Sequence, residues 1–236
     1  CLHASAAQKQ TAQVELLLTC GAAANALNTL KKTVLQAVLT EAESRKKDGD
    51  GLSTTARALC TLIIGAMDAT GLASIEDADG EPAIFLACQC NDLLTVKLLL
   101  ASGCDPDIEA RKQRLTALAV SAKLGNNWII EALLQHNADP NYVSLSGQGD
   151  TPLMAALRGY HTESAATLIA VTTSPSLDHR VKSTRSADVH AVDTATTLAV
   201  ELTKKDPTES CKLTQLLSNA GALFSLSDAN PAISKW

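Results

Sequence analysis

Aromatic side chains are nearly absent: Phe, Tyr and Trp together make up 3% of the 236 residues. A core with so few rings is filled by Ala, Leu, Ile and Val, which suits close helix packing better than a sandwich or barrel. Glycine (12) and proline (7) are also scarce, too few for a collagen-like or low-complexity chain. No apolar run approaches the roughly 18 residues of a membrane span. The longest, from Leu59 to Met67, is interrupted by Cys60, Thr61 and Gly65. An excess of positive charge is missing too. The net charge of −5 and pI near 5.5 argue against nucleic-acid binding, which favours a basic stripe and a high pI.

The seven cysteines, Cys1, Cys20, Cys60, Cys88, Cys90, Cys104 and Cys211, form no regular framework. Most lie in apolar surroundings, where a free thiol acts as a small hydrophobe. Cys88 and Cys90, two apart on a helix, face different directions and make a poor metal pair. Free core thiols point to a reducing compartment, cytoplasmic or nuclear. The chain opens on Cys1 without the charged and apolar regions of a signal peptide, and is expected to be a segment of a longer protein.

What is present is a hydrophobic fraction of 46% arranged in repeats. One phrase, an aliphatic residue followed by small ones, recurs. Its copies are Leu2-His3-Ala4-Ser5-Ala6, Thr33-Val34-Leu35-Gln36-Ala37, Pro82-Ala83-Ile84-Phe85-Leu86-Ala87, Thr116-Ala117-Leu118-Ala119, Thr151-Pro152-Leu153-Met154-Ala155 and Thr196-Thr197-Leu198-Ala199. The aliphatic anchors are spaced by 33, 49, 34, 35 and 45 residues. Three spacings share one period, and two read as that period with insertions. A second phrase follows, an aliphatic cluster closing on Gly or Asn. It appears at Val14–Gly21, Val96–Gly103, Ile130–Asn137 and Leu216–Gly221. Gly and Asn tolerate the left-handed residue that ends a helix, and Pro106 and Pro140 then turn the chain outward. Each copy reads as helix, turn, helix, stop. Stacked copies bury a face that one alone cannot.

These residues resemble the ankyrin repeat, whose period is known to be 33 residues with a T-P-L-H-x-A phrase. Thr151-Pro152-Leu153-Met154-Ala155-Ala156 is similar to that phrase, with Met154 in place of its His. Leu2-His3 keeps the His, and Asn137-Ala138-Asp139-Pro140-Asn141 resembles G-A-D-x-N. The resemblance implies an all-α, ankyrin-like helical solenoid of about six repeats with hairpin-like turns. One domain over 1–236 is expected, with repeats near 1–26, 33–71, 80–107, 114–141, 149–171 and 194–224. Two long insertions, 41–57 and 171–195, depart from the pattern. The first is charged and Gly-bearing, the second rich in Ser and Thr. The apolar start at Ala4, Ala6 and Ala7 suggests further repeats before Cys1, while the helix around Leu213, Leu216 and Leu217 could cap the stack.

Nothing in the sequence points to catalysis. The histidines His3, His136, His161, His179 and His190 show no metal-ligand spacing. The resemblance gives His3 a structural role, bonding neighbouring backbone, and His136 sits where a cation suits a helix C-terminus. Asp48-Gly49-Asp50-Gly51 lacks the further acidic ligands of a calcium loop and reads as a solvated turn. Ser174-Pro175 and Arg180-Val181-Lys182-Ser183 are short kinase-like strings of the kind that arise by chance. The expectation is a non-enzyme without cofactor, metal or small-molecule substrate.

What the resemblance implies instead is a scaffold that binds a partner protein on a concave face made of turns and first helices. The alternatives are a structural subunit of a large assembly and a targeting module of a larger multidomain enzyme or adaptor. Arg111-Lys112-Gln113-Arg114 is a basic turn on an acidic chain, suited to an acidic segment of a partner. Trp128 opens a second helix at a position where the family favours polar residues; it is either an interface anchor or packed on its neighbour. Gln89, Leu93, Lys123 and Arg158 fall at first-helix-side positions and Tyr142 starts the next turn. The expected partner-binding set is therefore Gln89, Leu93, Arg111, Lys112, Arg114, Lys123, Trp128, Tyr142 and Arg158.

Overall fold

The computed structural model describes residues 1–45, 52–67, 80–143, 150–172, 181–182, 192–193, 195, 198–199 and 207–220. The Asp48–Gly51 stretch, the late Gly71, Ser174-Pro175, His179, Arg180, Ser183, His190, Lys204 to Asp206, Gly221 and Trp236 lie outside the described residues. The chain divides into two compact units. One comprises 1–117 and 135–138, the other 118–134 and 139–236.

The first unit carries α1 (Leu2–Ala7), α2 (Thr11–Thr19), α3 (Val34–Arg45), α4 (Thr54–Ala66), α5 (Ala83–Gln89) and α6 (Leu93–Ala101). Each odd-numbered helix packs on the even-numbered one that follows it. The odd helices also form a row, α1 on α3 and α3 on α5, and the even helices a second row, α2 on α4 and α4 on α6. The apolar pattern of α4 shows why. Ala56, Leu59, Cys60, Ile63 and Ile64 are all buried, and their spacing of three and four puts them on one face of the helix. In α5 every residue from Ala83 to Cys88 is buried, as befits a helix covered on several sides. Of the apolar start noted in α1, Ala6 is buried while Ala4 and Ala7 are exposed.

The helices end in a repeated way. After α1, α5, α7 (Ala117–Leu124) and α9 (Pro152–Arg158) a left-handed residue follows: Lys9, Asn91, Gly125 and Tyr160, at φ 58, 56, 75 and 63°. At each, two successive N–H groups turn back onto carbonyls of the closing helix, as Asn91 does to Cys88 and Asp92 to Ala87. That cap satisfies carbonyls the helix leaves open and reverses the chain into the next helix. Gly21 and Gly103 do the same after second helices, and Asn137, which follows α8 (Asn127–Gln135), is likewise left-handed at φ 63°.

In the second unit α8 (Asn127–Gln135) follows α7; α9 packs on α10 (Thr162–Ile169), and α10 on α11 (Pro207–Asn219). Leu213 and Leu217 are buried and Leu216 is 41% exposed. A two-residue antiparallel pair, β1 (Val181–Lys182) with β2 (Val192–Asp193), lies within the expected second insertion. Helix occupies both ends of the expected first insertion, since α3 runs to Arg45 and α4 begins at Thr54.

Two side chains join successive repeats in the first unit. His3 lies 3.1 Å from the Lys32 carbonyl through Nε2, and Gln36 Nε2 donates to the Glu81 carbonyl, also at 3.1 Å. Both occupy the same repeat position, and each reaches the backbone that leads into the next first helix. Gln36 Oε1 also accepts from the Thr33 N–H and hydroxyl, at 2.9 and 3.0 Å. In later repeats Phe85, Ala119 and Met154 hold this position, all buried; there apolar packing replaces the polar bridge.

Candidate functional site

The basic turn is a closed hairpin. Ala110 and Leu115 pair across it, the Ala110 N–H donating to the Leu115 carbonyl at 2.9 Å. Arg114, at φ 57°, reverses the chain, and its N–H donates to the Ala110 carbonyl at 2.6 Å. Arg111, Lys112, Gln113 and Arg114 are all exposed. The hairpin is braced on the segment ahead of α5: the Arg111 N–H donates to the Gly80 carbonyl at 2.9 Å, and Gln113 Nε2 to Glu81 Oε1 at 3.2 Å. Gly80 is itself left-handed at φ 72°, and a Cβ there would come within 2.7 Å of Arg111 Cβ. Glycine thus lets the arginine stem lie directly on backbone.

An earlier turn of the same unit has the same construction and different chemistry. In residues 28–32 the Asn28 N–H donates to the Lys32 carbonyl, and Lys31 reverses the chain at φ 54°. Asn28 Oδ1 accepts from the Leu30 and Lys32 N–H groups, both at 2.9 Å. This turn exposes Leu30 at 63% and Leu27 at 54%. Neither belongs to the sequence-derived set, although two leucines in a turn that otherwise favours polar residues were a readable signal.

The other expected contacts fall as follows. Gln89 and Leu93 are half-buried, at the end of α5 and the start of α6. In the second unit Lys123 is exposed, Tyr142 half-buried, and Trp128 is 74% exposed at the start of α8. With that exposure the Trp128 ring is largely uncovered by neighbouring elements. Arg158 is engaged internally: its Nε donates to Asp150 Oδ2 at 2.8 Å, and the two side chains are 12% and 8% exposed. His161 packs its ring against the open Cα faces of Gly125 and Gly159, and Asn127 accepts from the Ser164 hydroxyl.

The ionisable interior is structural in character. Asp92 caps α6 by accepting from the Thr95 N–H at 3.2 Å, and Arg57 Nε on α4 donates to it at 2.8 Å. Burial, with Asp92 nearby as a smaller cause, pushes the Cys60 thiol up from 9.0 to about 12. Burial and then Asp105 raise Cys104 to about 11. Thiols held protonated in this way are poor nucleophiles. Among the described residues no group of His, Cys, Asp and Glu is arranged to hold a metal ion. No helix among them is long and apolar enough to cross a membrane.

Residues 53–144 and 84–182 match the family described as ankyrin repeats (3 copies). The chain belongs to the ankyrin-repeat family. Its all-α repeat architecture follows, and ankyrin repeats generally mediate protein–protein interaction, typically as non-enzymatic modules. A curated relative, the nuclear factor NF-kappa-B p105 subunit of Gallus gallus, is 28% identical over 179 residues. The alignment takes in 75% of this ankyrin-repeat chain and only 17% of the relative, so the chain corresponds to a small part of that protein.

Proposed function

We propose that the chain is a recognition scaffold that holds a partner protein on the concave face of its repeats, and that the partner presents an acidic segment to the Arg111–Arg114 hairpin. One observation supports this above the others. Three exposed cations, Arg111, Lys112 and Arg114, stand on a hairpin locked to Gly80 and Glu81, on a chain of net charge −5. A fixed cationic tip loses little freedom on binding, and its field steers an acidic partner toward it. Gln89 and Leu93 extend this surface in the first unit. Lys123, Trp128 and Tyr142 are the contacts proposed in the second, with Trp128 as the apolar anchor; Arg158, paired inward with Asp150, leaves the set. The protein acts without cofactor or substrate, in a reducing compartment of the cytoplasm or nucleus.

A second reading is a structural subunit that joins a large assembly through 41–57 and 171–195. The relative, itself named a subunit, favours it. A third reading, in keeping with a match to a small part of that relative, is a targeting module of a larger multidomain enzyme or adaptor. Crosslinking pull-down separates these readings, using the chain and an Arg111→Ala/Lys112→Ala/Arg114→Ala/Trp128→Ala variant. The recognition reading expects a partner crosslinked to the hairpin and lost in the variant. Crosslinks confined to 41–57 and 171–195, retained in the variant, replace it with the subunit reading.

A further inference from the structure

The first unit carries two turns built alike and tipped differently, one with Leu27 and Leu30 and the other with Arg111, Lys112 and Arg114. Both are fixed to the same backbone between them. Gln36, which follows the apolar turn, donates to the Glu81 carbonyl at 3.1 Å. The basic turn donates from the Arg111 N–H to the Gly80 carbonyl at 2.9 Å. The segment Gly80–Glu81 therefore ties the base of one turn to the base of the other, and neither tip is independent of its neighbour. The apolar tip is also internally rigid, since Asn28 Oδ1 holds the N–H groups of Leu30 and Lys32. Leu30 is presented outward by a fixed backbone, 63% exposed. A turn would ordinarily place a polar residue there.

We propose that the two tips form a two-point reader for an extended peptide segment of a partner protein, in which an apolar side chain seats on Leu27 and Leu30 while an acidic cluster meets Arg111, Lys112 and Arg114. The occupant follows from chemistry on both ends. Cations call for carboxylates, and exposed leucines on an ordered turn gain by covering an apolar side chain. The spacing follows from the helix rows. The apolar turn leads into α3, the Gly80–Glu81 segment leads into α5, and the basic turn is hydrogen-bonded to that segment one step further on. At 8–10 Å per packed helix the tips stand roughly 20 Å apart. An extended chain advances about 3.3–3.6 Å per residue, so about six residues separate the apolar residue from the acidic cluster. Joining two weak contacts across a rigid span raises affinity only when the connecting length matches it.

The inference rests on the proposed acidic-segment reading, and the test separates the two. The probes are synthetic peptides of four glutamates joined to one phenylalanine by Gly/Ser spacers of 1, 6 or 12 residues, with a phenylalanine-free control. Binding to the full chain is measured by calorimetry at low and physiological salt. The expected result is that the six-residue spacer binds about tenfold more tightly than the control, and that the one-residue spacer gives no gain. Leu27→Ser/Leu30→Ser is expected to remove the gain while leaving the control's affinity unchanged; both side chains are exposed, and circular dichroism checks that the fold is kept. Arg111→Ala/Lys112→Ala/Arg114→Ala is expected to weaken every peptide. If acidic peptides bind through the cations and phenylalanine adds nothing at any spacing, the two-point reader is overturned and the acidic-segment reading stands. If no acidic peptide binds, or the triple variant binds all of them as the wild type does, both fall. Self-association abolished by Leu27→Ser/Leu30→Ser would assign the apolar tip to a second copy, and also overturns the proposal.

Discussion

Replacing Gln36 tests what holds the first repeats in register. Its side chain is fully buried, with Oε1 accepting from the Thr33 N–H and hydroxyl and Nε2 donating to the Glu81 carbonyl. Gln36→Met keeps most of the volume and removes these bonds. Two buried backbone groups lose the partner Gln36 supplies, at about 1–3 kcal/mol each. With some relaxation, the expected loss is about 2–4 kcal/mol. Gln36→Ala adds the cost of the vacated space, about 1–2 kcal/mol more. Gln36→His is expected to restore most of the stability, to within about 1 kcal/mol, since His3 spans the same repeat-to-repeat gap at 3.1 Å. Urea unfolding gives the global difference. Because repeat arrays can lose cooperativity, hydrogen exchange on α1 to α3 should locate where the loss begins. A Gln36→Met protein within about 0.5 kcal/mol of the wild type, the ordinary range of a surface change, would refute the idea that this bridge couples the repeats.

Gly80→Ala places a Cβ 2.7 Å from Arg111 Cβ at a φ of 72°, so it is expected to cost about 1–2 kcal/mol. It should also weaken acidic-peptide binding by disturbing the hairpin, read by thermal melting and calorimetry together. The cysteines give a pH prediction. Cys60 and Cys104 are raised on folding from 9.0 to about 12 and about 11. Folding favours their protonated forms, so the contribution is fully present below pH 9.0 and is lost as pH rises through the folded values. Stability should therefore fall above pH 9.0, and iodoacetamide at pH 8 should label exposed Cys1 and Cys20 well before either buried thiol. Equal labelling in the native protein would contradict the burial that underlies this prediction.

Much of the fold is legible in the sequence because it is local and repeated. The helix phrases at Leu2, Leu35, Ile84, Leu118 and Leu153 recur with a spacing that only stacked helix pairs explain. Gly21, Gly103 and Asn137 mark the second-helix stops, and all three are left-handed. The left-handed residues between the two helices leave no common sequence signal, because Lys9, Asn91, Gly125 and Tyr160 share a backbone conformation and no side-chain chemistry. The repeat's closed geometry imposes it on whichever residue arrives there. His3 was readable as a structural residue from its place in the phrase. Gln36 occupies the same place, but its role depends on a carbonyl 45 positions away, beyond any local pattern.

The surface divides in the same way. Sequence identified the basic turn and Trp128, since charge and residue type survive without a structure. Only the tertiary structure decided that Trp128 stands 74% exposed while Arg158 turns inward to Asp150, because exposure depends on what neighbouring elements bring to the position. It alone showed Leu27 and Leu30 facing solvent, and tied the apolar and basic turns to one backbone segment through Gln36 and Arg111. The sequence by itself determined the repeat, its period and the chemistry available at each tip. The tertiary structure decided which side chains are spent on holding the repeats together and which stay exposed, because burial and long-range hydrogen bonds exist only once the helices have stacked.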